Sequence, residues 1–348
     1  MLLFFAGYIL LCLYGMKPHR RFYGDYLSVS NTQAVKGIFI ILVFFSHFNA
    51  YATFENTFDL YYKDIIAGFR QTMVTLFLFY SGYGVVESIN KKGLSYLKQF
   101  PVKRILSTLF KFICAVLIYF LIGVLALGER YSVPRVLLSF VGWESFGNSN
   151  WYIFVALVLY LITWLSYRFF LHTNRLIPLL LSVTTVVALI TLNGFYKVKA
   201  YYWVDTACCY LAGMLWAQYR GKLESIINKH FLIYGIVTLM AFLATEFFKR
   251  RTGTTSNLIL WNLSFAGFVV LLTMRLTLKN KILVWCGQNL FELYILQRIP
   301  MILLKQWGVA TVNIYLYFAL SVIWTVCLVW PFKYVTDKLW KLFIHEKT

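Results

Sequence analysis

The sequence predicts an all-α membrane protein, a polytopic bundle of about ten or eleven transmembrane helices. Of its 348 residues, 60% are hydrophobic and only 13% are charged, whereas a soluble domain exposes far more charge. The hydrophobic residues form long runs, most of them near the roughly 18 residues that cross a bilayer core. Basic residues are concentrated in alternate connections between these runs. These observations leave no room for a separate soluble domain.

We predict eleven spans along the chain. The first is short and precedes no small-residue cleavage site, which favours an anchor helix, with a removed signal peptide as the alternative that stays open. The tenth contains Pro300 and several polar residues, as expected of a helix that lines a wet cavity. The predicted spans are residues 1–15, 35–52, 71–88, 105–127, 151–168, 177–194, 201–218, 231–248, 257–274, 282–304 and 312–331.

The charge pattern predicts the orientation of the chain. The net charge is +20, and the connections rich in lysine and arginine are cytoplasmic by the positive-inside rule. The N-terminus is then outside and the C-terminus inside, with Lys249-Arg250-Arg251 as an exception on the outer side. We therefore attribute the charge to topology and anionic lipid, not to nucleic acid. The basic residues of the cytoplasmic connections include Lys17, Arg20, Arg21, Lys91, Lys92, Lys98, Lys103, Arg104, Arg168, Arg175, Arg220, Lys222, Lys229, Arg275, Lys279, Lys281, Lys333, Lys338, Lys341 and Lys347.

His47 is the most informative polar residue. It lies in the apolar segment 35–51, and an ionisable group at such a depth usually faces a cavity or a pathway. Lys36 lies eleven positions earlier, about three helical turns, so both side chains project from one face about 16 Å apart. An imidazole can accept and return a proton near neutral pH, which makes His47 a candidate general base. The simpler alternative is a structural histidine that hydrogen-bonds between helices. The other histidines lie among basic residues in predicted loops or near the chain end: His19, His172, His230 and His345.

Four segments, in order along the chain, resemble the acyltransferase-3 family of integral membrane acyltransferases. The stretch from Lys36 to His47 resembles the family's signature of a basic residue, a ten-residue gap and a histidine. Residues 76–83, Leu-Phe-Leu-Phe-Tyr-Ser-Gly-Tyr, are similar to its Phe-Phe-x-x-Ser-Gly-Phe segment in the next helix.

The third and fourth segments extend the resemblance to the second half of the chain. Residues 150–152, Asn-Trp-Tyr, resemble the opening of a middle helix, and residues 291–297, Phe-Glu-Leu-Tyr-Ile-Leu-Gln, are similar to the late Glu-x-Tyr-x-x-His segment. We therefore expect an acyltransferase-3-like membrane domain over 28–340. It would follow an extra membrane helix with a basic cytoplasmic linker, 1–27, and precede a short cytoplasmic tail, 341–348.

The resemblance implies roles for particular residues. His47 and Lys36 would be catalytic, and the basic pair Lys103 and Arg104 would bind the phosphates of the acyl donor. The chain departs from the family pattern because Lys36 replaces the usual arginine, Gln297 replaces the late histidine, and no proline follows Arg104 in the usual Arg-x-x-Arg-x-x-Pro arrangement. Residues expected to line the cavity or bind the acceptor are Ser81, Trp151, Tyr152, Glu292, Tyr294 and Gln297.

These residues also have simpler interpretations. The basic residues can mark the cytoplasmic boundary, and Ser81-Gly82 can be a close helix contact. Trp151 and Tyr152 can belong to the interfacial aromatic belt, and Glu292 can form an internal ion pair with Arg298. The six cysteines all fall within predicted spans, where packing is their expected role, and the sequence predicts no metal site.

We predict a membrane-embedded O-acyltransferase, most simply an O-acetyltransferase, of a bacterial cytoplasmic membrane. The expected donor is cytoplasmic acyl-coenzyme A, in particular acetyl-coenzyme A as a substrate, with no tightly bound cofactor. The expected acceptor is a hydroxyl of a cell-surface or lipid-linked glycan, such as an exopolysaccharide of the cell envelope, and no nucleic acid is expected. Two alternatives stay open: a transporter or flippase in which His47 relays protons, and a polymerase component of exopolysaccharide assembly.

Overall fold

Helices account for nearly all of the regular structure in a computed structural model, which describes residues 1–69, 71–170 and 175–345. The predicted all-α fold is confirmed. His172 and Lys347 lie outside the described residues. The helices are α1 (Leu2–Leu13), α2 (Val29–Asn49), α3 (Thr57–Phe69), α4 (Thr72–Lys92), α5 (Leu94–Phe100), α6 (Ser107–Leu125), α7 (Val133–Phe140), α8 (Trp151–Phe170), α9 (Leu176–Tyr196), α10 (Ala207–Lys229), α11 (Phe231–Thr252), α12 (Thr255–Thr273), α13 (Lys281–Gln288), α14 (Leu290–Leu296), α15 (Arg298–Gln306), α16 (Val309–Val312) and α17 (Ile314–His345).

Eight helical segments within the described residues are long and apolar enough to cross a membrane. They contain α2, α4, α6, α8, α9, α11, α12 and α17, and they coincide with eight of the predicted spans. Many of their apolar side chains remain exposed on the surface of the bundle, where a bilayer would solvate them. The protein is therefore an integral membrane protein.

The other three predicted spans take different forms. The first is the 12-residue helix α1. The seventh, 201–218, begins with a 3₁₀ turn, and α10 then continues beyond its predicted end to Lys229. The tenth, 282–304, is divided among α13, α14 and α15. In addition, α3 occupies part of a segment that we predicted as an external connection, and it buries Tyr62 and Ile66 against the bundle.

Two glycines bring α13 directly against α2. A Cβ on Gly37 would overlap the carbonyl oxygen of Leu283, and a Cβ on Gly287 would overlap that of Gln33. These pairs also give the direction of α13. Gly37 follows Gln33 along α2, whereas Leu283, opposite Gly37, precedes Gly287, which lies opposite Gln33. The two helices are therefore antiparallel and in backbone contact, as small residues allow in membranes.

The chain reverses direction after α13. Gly287 lies opposite the start of α2. The ring of Tyr294, in contrast, lies near the other end of α2, with its centre 6.0 Å from the centre of the His47 ring. The reversal occurs at Asn289, whose backbone angles are not helical (φ −107°, ψ 29°). The prediction of one continuous span over 282–304 was therefore wrong, because an apolar run reveals burial but not the direction of its helices.

A second close pair joins α4 to α10. A Cβ on Gly82 would overlap the carbonyl oxygen of Tyr210, and a Cβ on Gly213 would overlap that of Phe79. The contact allows α4 to present the residue before Gly82, Ser81, to the centre of the bundle.

Several basic connections meet at one end of the bundle, which we call the basic face. A short antiparallel sheet pairs Met16–Pro18 with Leu276–Leu278. Arg275 joins this sheet to a third connection, donating from Nη1 to the Arg20 carbonyl at 2.9 Å and from Nη2 to Asn228 Oδ1 at 3.0 Å. At the other end, called the opposite face, Lys199 donates to the Trp143 carbonyl at 2.9 Å.

Candidate active site

Two polar cavities adjoin one another at the basic face. The larger, the vestibule, has a volume of about 590 Å³ and lies between α2, α4 and α10. The smaller, the inner cavity, has a volume of about 400 Å³ and extends between α6, α8, α13 and α14. Their combined size suits an extended polar ligand rather than a small ion. The residues that line both are Lys36, Ser81, Arg104 and Tyr160.

Lys36 occupies the junction between the cavities. It is half-buried on α2, and its Nζ lies 5.9 Å from the centre of the Tyr80 ring. The adjacent Gly37 holds α13 against this turn of α2, so α13 forms a wall of the inner cavity beside Lys36. None of the ion pairs within the described part of the chain includes Lys36. Its ammonium group is therefore available to an anionic ligand.

Lys103 and Arg104 lie at the cavity mouth, on a π-helical turn, Pro101–Leu106, between α5 and α6. The Ser107 amide donates to the Val102 carbonyl across this widened turn, a feature common near functional sites. Both side chains are exposed and line the inner cavity, and Arg104 also lines the vestibule. The two predicted donor-binding residues thus share a cavity with Lys36.

Ser81 lines both cavities, and within the part of the chain that the structure describes its hydroxyl makes no hydrogen bond to an acid or a base. Its hydroxyl lies 3.1 Å from the Tyr160 hydroxyl. That contact can orient a bound group but does not activate a nucleophile. Ser81 is therefore a lining residue, while the adjacent Gly82 makes the helix contact that the sequence also suggested.

Two tyrosines close the inner end of the cavity. Tyr152 and Tyr294 line it and pack edge to face at 5.2 Å between ring centres. Beyond them lies His47, whose ring centre is 6.0 Å from that of Tyr294. The buried Nδ1 of His47 has no hydrogen-bond partner among the described residues, so none of them competes with a ligand for this nitrogen.

Trp151 lies apart from the inner cavity. Its ring contacts Tyr202 at 5.8 Å between centres, in the loop before α10. Trp151 lies at the start of α8, near the opposite face, which agrees with its interpretation as a residue of the interfacial aromatic belt. Its ring also packs edge to face with that of Tyr152, at 6.2 Å between centres.

Glu292 is buried in the wall of the inner cavity, with 4% of its surface exposed. Its carboxylate lies 3.5 Å from Lys111 Nζ, which also pairs with Asp337 at 2.7 Å. The suggested Glu292–Arg298 pair is not among the ion pairs of the described residues. Instead, Arg298 donates from Nη1 to the Gly147 carbonyl at 3.2 Å.

Gln297 lines a different cavity from the one expected. Its Nε2 donates to the Tyr294 carbonyl at 3.1 Å across the break between α14 and α15. The side chain borders a mostly apolar cavity of about 480 Å³ between α1, α2 and α17. Gln297 therefore supports the segment that carries Tyr294 from behind, without reaching the inner cavity.

Sequence reasoning missed Lys111, Tyr160 and Arg220. Lys111 is an ionisable residue inside the predicted span 105–127, and the criterion that selected His47 would also have selected it. Tyr160 offers no such signal, because a tyrosine in an apolar helix is common. Arg220 was attributed only to topology, but it lines the vestibule, donates to the Tyr83 hydroxyl at 3.1 Å and pairs with Glu224 at 2.6 Å.

No group of three or more histidine, cysteine, aspartate or glutamate residues in the described part of the chain could hold a metal ion. A protein-family model described as an acyltransferase domain matches residues 31–334, which includes every predicted site residue but not α1. No curated protein and no solved structure matches the chain.

Proposed function

Because the chain belongs to this family of acyltransferases and is a membrane protein, we propose that it transfers an acyl group, most simply acetyl, from acyl-coenzyme A to a hydroxyl of a glycan. The donor would enter from the basic face, which the positive-inside rule assigns to the cytoplasm. The acceptor would be a cell-surface or lipid-linked glycan that reaches the opposite face. The supporting observation is the inner cavity, which extends from basic residues to the tyrosines beside His47.

The basic residues suit the donor. Coenzyme A carries several phosphates, which lysine and arginine bind through charge-assisted hydrogen bonds. Lys103 and Arg104 at the mouth and Lys36 at the junction would hold these phosphates, and the pantetheine arm would extend towards Tyr152 and Tyr294. The thioester would then stop beside the histidine, and this positioning supplies much of the rate gain.

His47 would act as the general base. Its Nδ1 would take the proton from the acceptor hydroxyl while that oxygen attacks the thioester carbonyl carbon. The tetrahedral intermediate would then expel the coenzyme A thiolate, which recovers the proton from the imidazolium. One ester bond forms and one thioester bond breaks, so no further reactant is needed.

The test uses purified protein in nanodiscs with acetyl-coenzyme A and a glycan extract, with release of free coenzyme A thiol as the readout. We expect thiol release that the glycan stimulates, together with ester-linked acetyl on the recovered glycan by mass spectrometry. Absence of thiol release, with ion-gradient-driven glycan uptake in proteoliposomes, would instead support the transporter alternative.

A further inference from the structure

A cluster of polar side chains that includes His47 lies outside the lining of the inner cavity. We call it the acceptor-side cluster and define it as His47, Asn148 and Arg298. The buried atoms His47 Nδ1, Asn148 Nδ2 and Arg298 Nε have no hydrogen-bond partner within the described residues. Three such atoms, on His47 and on two residues whose neighbourhood is joined by the Arg298–Gly147 hydrogen bond, indicate a site for a ligand, because buried polar groups are nearly always paired.

The cluster is held together from three elements. Arg298 begins α15 and donates to the carbonyl of Gly147, the residue before Asn148. Its guanidinium carbon also lies 5.9 Å from the centre of the ring of Tyr51, just past the end of α2 that carries His47. The loop between α7 and α8 supplies Asn148, which is only 2% exposed.

The loop conformation aims the Asn148 amide. The backbone N–H of Phe146 donates to Asn148 Oδ1 at 3.0 Å, which fixes the amide and leaves its NH₂ group without a partner. Gly147 permits this turn because its φ of +92° lies in a region that other residues rarely adopt. Asn148 therefore presents a hydrogen-bond donor in a fixed direction.

Arg298 carries a positive charge that no carboxylate of the described residues offsets through an ion pair. Among the described residues it takes part in no ion pair, and the carboxylate of Glu292, on the preceding helix, is paired with Lys111 instead. Burying atoms of a charged guanidinium group costs free energy unless an anion or several hydrogen-bond acceptors surround the group. The Gly147 carbonyl and the ring of Tyr51, whose centre is 5.9 Å from the guanidinium carbon, are both neutral partners, so the site favours a ligand that brings negative charge.

We propose that the acceptor-side cluster binds an acidic group, a carboxylate or a phosphate, on the acceptor glycan beside the hydroxyl that is acylated. This inference rests on the proposed function, which it deepens by naming the acceptor as an acidic glycan. Arg298 binds the acidic group through its Nε donor, and Asn148 donates to a neighbouring oxygen. The bound anion also offsets the positive charge that His47 gains when it accepts the proton.

The experiment measures binding without donor, using purified full-length protein in nanodiscs. The probes are methyl glucuronide, glucose 6-phosphate and a methyl sialoside, each compared with neutral methyl glucoside by isothermal titration. We expect at least one acidic glycoside to bind about tenfold or more tightly than methyl glucoside, the scale of a hydrogen bond to a charged group. Arg298→Gln should abolish that difference, and Arg298→Lys should reduce it, because lysine keeps the charge but not the planar fork.

The matched control is Arg130→Gln, which removes an exposed arginine from the connection between α6 and α7. It should leave the preference for acidic glycosides unchanged. The proposal is overturned if no acidic glycoside binds more tightly than methyl glucoside, or if Arg298→Gln weakens neutral and acidic ligands equally. If Arg298→Gln does not fold, an undiminished acidic preference in Arg298→Lys overturns it as well.

Thiol release from acetyl-coenzyme A, measured in the same preparations, distinguishes failure of this proposal from failure of the proposed function. Preferential binding of acidic glycosides without thiol release from acetyl-coenzyme A would refute acetyl transfer but retain the anionic site. Thiol release without any acidic preference would retain acyl transfer and refute only the anionic site.

Discussion

Replacement of His47 should separate catalysis from folding. His47→Ala removes the proposed base, and His47→Gln keeps a polar side chain of similar length that cannot accept and return a proton near neutral pH. Because Nδ1 of His47 has no hydrogen-bond partner among the described residues, neither change breaks a hydrogen bond made by that nitrogen. Its ring is only half-buried and contacts that of Tyr294.

The structure sets the expected magnitudes. The loss of stability in His47→Ala should fall below the roughly 2–5 kcal/mol of a fully buried large-to-small substitution, and in His47→Gln it should be smaller still. Loss of a positioned general base lowers the rate by about 10² or more. That corresponds to roughly 2.7 kcal/mol of barrier, because each tenfold change is 1.36 kcal/mol.

The assay compares kcat for glycan-stimulated thiol release with the thermal unfolding midpoint in the same detergent or nanodisc preparation. The wild-type rate should also fall on acidification as the imidazole becomes protonated, whereas the residual rate of either variant should lack this dependence. A His47→Gln protein with near-normal kcat and the wild-type pH profile would show that His47 is structural.

Three further predictions concern topology, donor binding and helix packing. In a variant without native cysteines, an impermeant reagent should label Thr57→Cys but not Lys92→Cys in intact cells, and labelling in the reverse sense would overturn the assigned orientation. Single alanine substitutions of the proposed phosphate-binding residues Lys36, Lys103 and Arg104 should each raise the apparent KM for the acyl donor about tenfold. Unchanged KM values would show that these residues only set the topology of the chain. Gly37→Leu should prevent recovery of folded protein because the new side chain would overlap Leu283. The control Gly7→Leu, whose side chain meets open space, should be tolerated. Equal recovery of the two variants would refute the close packing of α2 and α13.

Some features of the site follow from local sequence alone. Lys36 and His47 belong to one continuous helix, so their separation and shared face follow from helical geometry. Eight of the eleven spans were equally accessible, because a run of about 18 apolar residues has few stable alternatives to a membrane helix. The same reasoning could have identified Lys111, whose charge within an apolar span needs a partner.

Other features depend on contacts between distant residues. The sequence 282–304 is one apolar run, but the overlap of Gly37 and Gly287 with opposing backbones holds α13 antiparallel to α2, and the chain then turns at Asn289. No local signal reports that reversal. It determines that Tyr294 closes the inner cavity while Gln297 faces another one.

The partners of buried charges show the same division. Sequence proximity suggested that Glu292 and Arg298 neutralise each other, yet Lys111 reaches Glu292 from α6 and Arg298 donates to Gly147. The sequence by itself determined the membrane helices, the alternation of basic connections and the spacing of Lys36 and His47, because these depend on composition and on one helix at a time. Only the tertiary structure decided which charges are paired and which cavity each side chain lines, because those depend on how separate helices cross.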